Sequence, residues 1–94
     1  MNNIEMNRQA VRMLEEWDPF GIGAEAYETE TADIVGTLQG AVDEQQLAKI
    51  IQRVYEFSFE KWIDMKKCQQ MARQLLQLKM NYQCSSEGKF NINY

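Results

Sequence analysis

The sequence of 94 residues contains no histidine. The commonest general base near neutral pH and the usual zinc ligand are therefore missing. Neither a Ser-His nor a Cys-His catalytic pair can form within the chain. Cysteine is scarce: Cys68 and Cys84 are too far apart for the CxxC spacing of a redox or four-ligand zinc site. Proline occurs once, as Pro19. No apolar run approaches the ~20 residues of a membrane span. The opening "MNNIEMNRQAVRMLEEW" lacks the basic n-region and continuous apolar h-region of a signal peptide. A cytoplasmic location is expected, with both cysteines as thiols.

What is present suits one small globular domain. Apolar residues make up 45% and charged residues 26%, which argues against disorder. A chain of this size buries roughly 60–65% of its unfolded surface, so its stability is modest and a partner can matter.

The net charge of −4 conceals an asymmetry. From Met13 to Ala48 there is no Lys or Arg, while nine carboxylates crowd that span. From Lys49 to Met80 seven basic residues face three acidic ones. Two halves of opposite sign packing side by side would account for this, since surface charges are mostly solvated and weakly coupled. The sharper reading is an acidic patch that attracts a basic partner.

Helical spacing dominates the chain. Ile4, Ala10, Val11, Leu14 and Trp17, with Met13 at the edge, mark a first helix capped by Asn2 or Asn3. Asp18-Pro19 stops it, because the residue before proline leaves the α region and proline has no N–H to donate. A second helix starts between Ala24 and Thr31, with a stripe of Tyr27, Thr31, Ile34, Val35 and Leu38. Glu25, Glu28, Glu30 and Asp33 gather at its positive dipole end. Gly36 weakens it by about 1 kcal/mol relative to Ala, which a close helix contact would explain. Gly40 is its expected stop.

"DEQQ" opens a third helix, with Asp43 and Gln46 spaced as a capping box. Its expected inward stripe is Leu47, Ile50, Ile51, Val54 and Phe57 or Ser58. A bend is expected over residues 57–63, after which Asp64 starts a fourth helix carrying Cys68, Met71, Ala72, Leu75 and Leu78 on one side. Lys66, Lys67, Arg73 and Lys79 lie on its outer face. From Asn81 onward the polar "NYQCSSEGKFNINY" reads as a C-terminal tail, loose or packed on the domain. The fold class is all-α: a compact irregular array or bundle of four helices over residues 1–80, with a short tail over 81–94.

The stretch "WDPFGIGAEAYETE", from Trp17 to Glu30, is the most distinctive. Its "GIG" is no phosphate loop, having neither the Walker lysine nor a preceding strand. Its carboxylates match no calcium-loop spacing. No catalytic, cofactor-binding or metal-binding residue is assigned. Net acidity also argues against nucleic acid. The residues best suited to a protein partner are Asp18, Phe20, Glu25, Glu28, Glu30, Asp33 and Trp62. Trp17 is expected to be largely buried, closing the first helix against the core, with Phe20 and Trp62 the aromatics best placed to stay exposed.

"WDPFGIG", the following "YETE", "LAKIIQRVYEFSFEKWI" and the Cys68/Ala72/Leu75-Leu76 pattern together resemble the YugE-like family, small uncharacterised helical proteins of Gram-positive bacteria. The resemblance covers roughly residues 10–80. It implies a compact array of four helices and carries no known activity, ligand or catalytic residue. The "WDP-x-GI" opening is also similar to that of some small bacterial proteins suspected of being toxin immunity factors.

The expected function is a non-enzymatic cytoplasmic protein-interaction module, with association between copies open to it. One alternative is an acidic inhibitor or immunity-type protein masking a basic enzyme such as a nuclease toxin. Another is a small carboxylate- or metal-dependent enzyme.

Overall fold

Met6, Ala10 and Leu14 recur every four residues along helix α1 (Asn3–Trp17), and all three are buried. Side chains four apart stack on one helical face, which makes this stripe the inner side of α1. Ile4, expected on that side, is instead 72% exposed, and Met6 takes the inward place. In this computed structural model the described residues are 3–40 and 42–91, and the described side chains are those of 4–40 and 42–82. The expected cap at Asn2 or Asn3 falls outside those side chains.

A 3₁₀ turn, Ala24–Tyr27, leads into α2 (Glu28–Leu38). Tyr27, Thr31, Ile34, Val35 and Leu38 are buried, as the spacing requires. Glu30 is buried with them, at 7% exposure. Gly36 lies on the solvent side, where an added Cβ would meet nothing within 4 Å. No close helix contact therefore explains it. The helix closes at Gln39, whose N–H reaches the Gly36 carbonyl.

α3 (Glu44–Phe59) opens with the expected capping box. The Gln46 N–H donates to Asp43 Oδ1 at 2.8 Å, and the Asp43 N–H donates to Gln46 Oε1 at 3.1 Å. Its buried face is Leu47, Ala48, Ile51 and Tyr55. Ile50 and Val54 are half-buried on one flank, and Phe57 points into solvent. The inward stripe thus lies on the Tyr55 side of the expected one. Glu60 ends the helix in the left-handed region, at φ 58°. The break lies at residues 60–64, later than the expected bend. Within it the carbonyl of the buried Ile63 accepts from Gln52 Nε2 at 2.8 Å.

α4 (Met65–Asn91) begins where its Lys67 and Cys68 N–H groups donate to the Asp64 carbonyl. Cys68, Met71, Ala72 and Leu75 face inward, with Leu78 half-buried behind them. The backbone stays helical through Asn91, past the expected change at Asn81. α3 and α4 form the most extensive helix pair. α1 packs on α2 and α4, and α2 packs on α3. The result is an all-α array of four helices around one core, without a strand among the described residues.

Candidate functional site

The corner after α1 is built around one carboxylate. Asp18 adopts φ 37°, a region a non-glycine residue rarely occupies. Its carbonyl accepts from Gly21 N–H at 3.1 Å, closing a turn. Its side chain then collects three donors. Ile22 N–H and Tyr27 O–H reach Oδ1 at 2.9 and 2.5 Å, and Gly23 N–H reaches Oδ2 at 3.2 Å. Gly21 at φ 66° and Gly23 at φ 100° supply backbone angles that a side chain would resist. The Tyr27 hydroxyl also accepts from Phe20 N–H at 3.1 Å. The Tyr27 bond, with the backbone donors, holds the Asp18 carboxyl below its ordinary pKa. Burial, reinforced by Asp18, pushes the Tyr27 phenol up.

Under this corner five aromatic rings pack edge to face or tilted. Trp17 meets Tyr55 edge-on at 5.7 Å between centroids, and Phe20 meets Phe59 at 5.2 Å. Tyr27 lies 5.6 Å from Tyr55 and 5.5 Å from Phe59. Such geometries are the favoured ones for rings with opposed face and edge charge. Trp17 is half-buried rather than wholly enclosed. The Tyr55 hydroxyl is buried without a hydrogen-bond partner among the described residues, and burial raises its pKa. Cys68 is a buried free thiol, pushed up to about 11 by burial and by the charge of Asp64. A thiol so held is a poor nucleophile at neutral pH.

The seven candidate partner-binding residues do not form one site. Asp18 is committed to the corner. Phe20 is half-buried in the ring cluster, with Lys61 Nζ 5.7 Å above its ring, and so is not the exposed aromatic expected. Glu30 is buried because it lies three residues from Tyr27 and four from Ile34, on the inner side of α2. Glu25, Glu28 and Asp33 stay exposed, and none enters an ion pair among the described residues. Trp62 is 68% exposed, as expected. Among the described residues no cluster of three or more carboxylate or cysteine ligands converges.

The outer side of α3 carries what sequence spacing missed. Phe57 is 84% exposed there, one turn beyond the exposed Arg53. At 100° per residue it sits roughly 130° around the helix from the buried stripe. Two hollows flank this side. One, of about 420 Å³, lies between α2 and α3 and is lined by Val42, Gln46, Lys49, Ile50 and Arg53. The other, of about 340 Å³, is lined by Lys49, Gln52, Arg53, Glu56, Trp62 and Met65. Lys49 and Arg53 are exposed, and neither enters an ion pair among the described residues. The other basic residues partly serve the fold. Arg73 pairs with Glu44 at 3.1 Å, and Lys79 Nζ donates to the Gly40 carbonyl at 2.7 Å. These two contacts tie the acidic half to the basic one.

Comparison with known proteins places the chain in a family. The model of a domain of unknown function, DUF1871, matches residues 9–85. An uncharacterised Bacillus subtilis protein, YugE, is 38% identical over 78 residues, which cover 83% of this chain and 91% of that protein. A crystal structure from Bacillus stearothermophilus aligns with a TM-score of 0.80 at 37% identity, covering 83% of this chain and 96% of that one. No helix among the described residues is long and apolar enough to cross a membrane.

Proposed function

We propose that this chain, which belongs to the DUF1871 family, is a non-enzymatic cytoplasmic protein-interaction module that docks its partner on the outer side of α3. The observation that carries this reading is the exposure of two large aromatics, Phe57 and Trp62, beside Lys49 and Arg53. Aromatic and arginine side chains supply most of the energy at protein interfaces. They stand beside hollows that a partner's side chains can fill. Groups suited to chemistry have structural employment instead. Asp18 and the Tyr27 hydroxyl hold the corner, and Cys68 is kept as a thiol in the core. The test is to replace Phe57 and Trp62 together with Ser and compare the proteins captured from the native cell. Loss of a specific partner with an unchanged helical circular dichroism spectrum is expected. Unaltered capture sinks the reading.

A second reading draws on Glu25, Glu28 and Asp33, which stay exposed and outside ion pairs among the described residues. They suit an inhibitor that masks a basic enzyme. Steering of that kind acts on the association rate and weakens as salt screens it. Changing the three to their amides should then slow association and flatten its salt dependence. An unchanged rate removes the acidic side as the binding face.

A further inference from the structure

The outer side of α3 carries both halves of a complementary pair. Lys49 and Glu56 are seven residues apart, so they lie within about 20° of the same line and roughly 10 Å apart along the axis. On the neighbouring flank Phe57 projects at the end of the helix, while the hollow beside Gln46 and Ile50 lies nearer its start. Relative to Lys49, Phe57 sits at about 80°, between Gln46 at about 60° and Ile50 at about 100°. The knob and the hollow therefore share a flank and differ only in height.

From this we infer that the face is a two-fold interface between two copies of this chain, with their α3 helices antiparallel. Antiparallel helices related by a two-fold axis face each other flank to like flank, with heights inverted. An axis passing between Gln52 and Arg53 sets Lys49 opposite Glu56 of the other copy, and Glu56 opposite Lys49. The same axis lowers Phe57 to the height of residue 48 of the other copy, level with the hollow beside Gln46 and Ile50. Trp62 and Met65, around the second hollow, cover the other flank. The cost of the arrangement is the approach of the two Arg53 side chains near the axis. Each has Glu56 of the other copy within about one turn. A foreign partner would need only one member of each pair on this face. Finding both members, at heights that a single axis relates, is what favours a second copy.

The inference rests on the reading of this face as a docking surface and names its occupant. One helix pair with a few flanking aromatics gives a small interface, so association is expected to depend on concentration. Sedimentation equilibrium from roughly 1 µM to 1 mM should show a mass rising from 11.0 kDa toward twice that value. K49E alone and E56K alone should each return the mass to that of one chain, because each sets like charges opposite one another twice. The double variant K49E/E56K should restore association, since a two-fold axis makes the exchanged pair complementary again. An equimolar mixture of the two single variants should form the mixed dimer, which guards against a double variant that folds poorly. F57A should abolish association with the circular dichroism spectrum unchanged. A wild-type mass fixed at one chain overturns the inference, as does a mass indifferent to K49E. Failure of both the double variant and the mixture to associate overturns it too. If the wild type is monomeric but the Phe57/Trp62 variant still loses a captured partner, the docking face stands and only the second copy falls.

Discussion

Tyr27 and Tyr55 lie 5.6 Å apart in one ring cluster, and both are fully buried. Changing either to Phe removes one oxygen and leaves the ring contacts in place. The two changes should nevertheless have opposite signs. At Tyr27 the hydroxyl donates to the Asp18 carboxylate at 2.5 Å and accepts from Phe20 N–H at 3.1 Å. Hydrogen bonds to charged groups contribute about 1.5–3 kcal/mol, and a stranded N–H adds to the loss. Y27F should cost about 2 kcal/mol. The Tyr55 hydroxyl has no partner among the described residues, so the folded state carries its desolvation uncompensated. Removing an unsatisfied group relieves part of a penalty of about 1–3 kcal/mol, and Y55F should stabilise by about 1 kcal/mol. Urea denaturation measures both, and each kcal/mol corresponds to roughly 4–8 °C in melting temperature for a domain of this size. A Y55F protein destabilised by about 1 kcal/mol or more would refute the reasoning for that site. A Y27F protein within about 0.5 kcal/mol of wild type would refute it for the corner.

Three further outcomes are expected. G36A should stabilise α2 by about 0.5–1 kcal/mol in thermal or urea unfolding, because Gly36 is helical, exposed and clear of neighbours within 4 Å. W17A should cost about 2–3 kcal/mol in the same assay, below the figure for a wholly buried aromatic, since Trp17 is half-buried and meets Tyr55 by one edge. The carboxyl of Asp18 is held below its ordinary value in the folded state. Its contribution is therefore present above about pH 4 and is lost as the pH falls through the folded value. Unfolding followed from pH 6 downward should show D18N with a flatter acid dependence than wild type.

Local signals were the legible ones. The capping box of Asp43 and Gln46 involves residues three apart, and it forms as the sequence indicates. The Cys68/Met71/Ala72/Leu75 stripe has only one apolar side to bury, and it buries it. In α3 two stripes satisfy helical spacing equally. Leu47/Ile51/Tyr55 wins over Ile50/Val54/Phe57 because Trp17 and Tyr27, far away in sequence, meet Tyr55. That choice is made by tertiary packing and leaves no local mark. Asp18 was hidden in the same way, since its key donor is nine residues on. Glu30 sits at the right spacing for burial, but its charge argued for the surface. The helical backbone beyond Asn81 has a simpler cause. Once a helix is nucleated and anchored by its first turns, each added residue costs little, even where no apolar stripe continues.

The same geometry explains why Phe57 faces outward, and why that alone does not account for its being phenylalanine. Phe59 joins the ring cluster against Phe20 and Tyr27. Residues two apart on a helix point about 200° away from each other, so burying Phe59 obliges position 57 to face solvent. Folding asks nothing more of that position, and a lysine or glutamate there would hold the helix and favour solubility. A phenylalanine 84% exposed, on a helix pinned at one end by its capping box and along one side by α4, adds no visible core energy. It does add association risk. Position 57 is therefore where the demands of the fold end, and the docking face proposed above would account for the ring. F57K should leave the melting temperature within about 3 °C of wild type, corresponding to a change within about 0.5 kcal/mol, while removing partner capture and association between copies. A larger drop would mean that the ring belongs to the core after all.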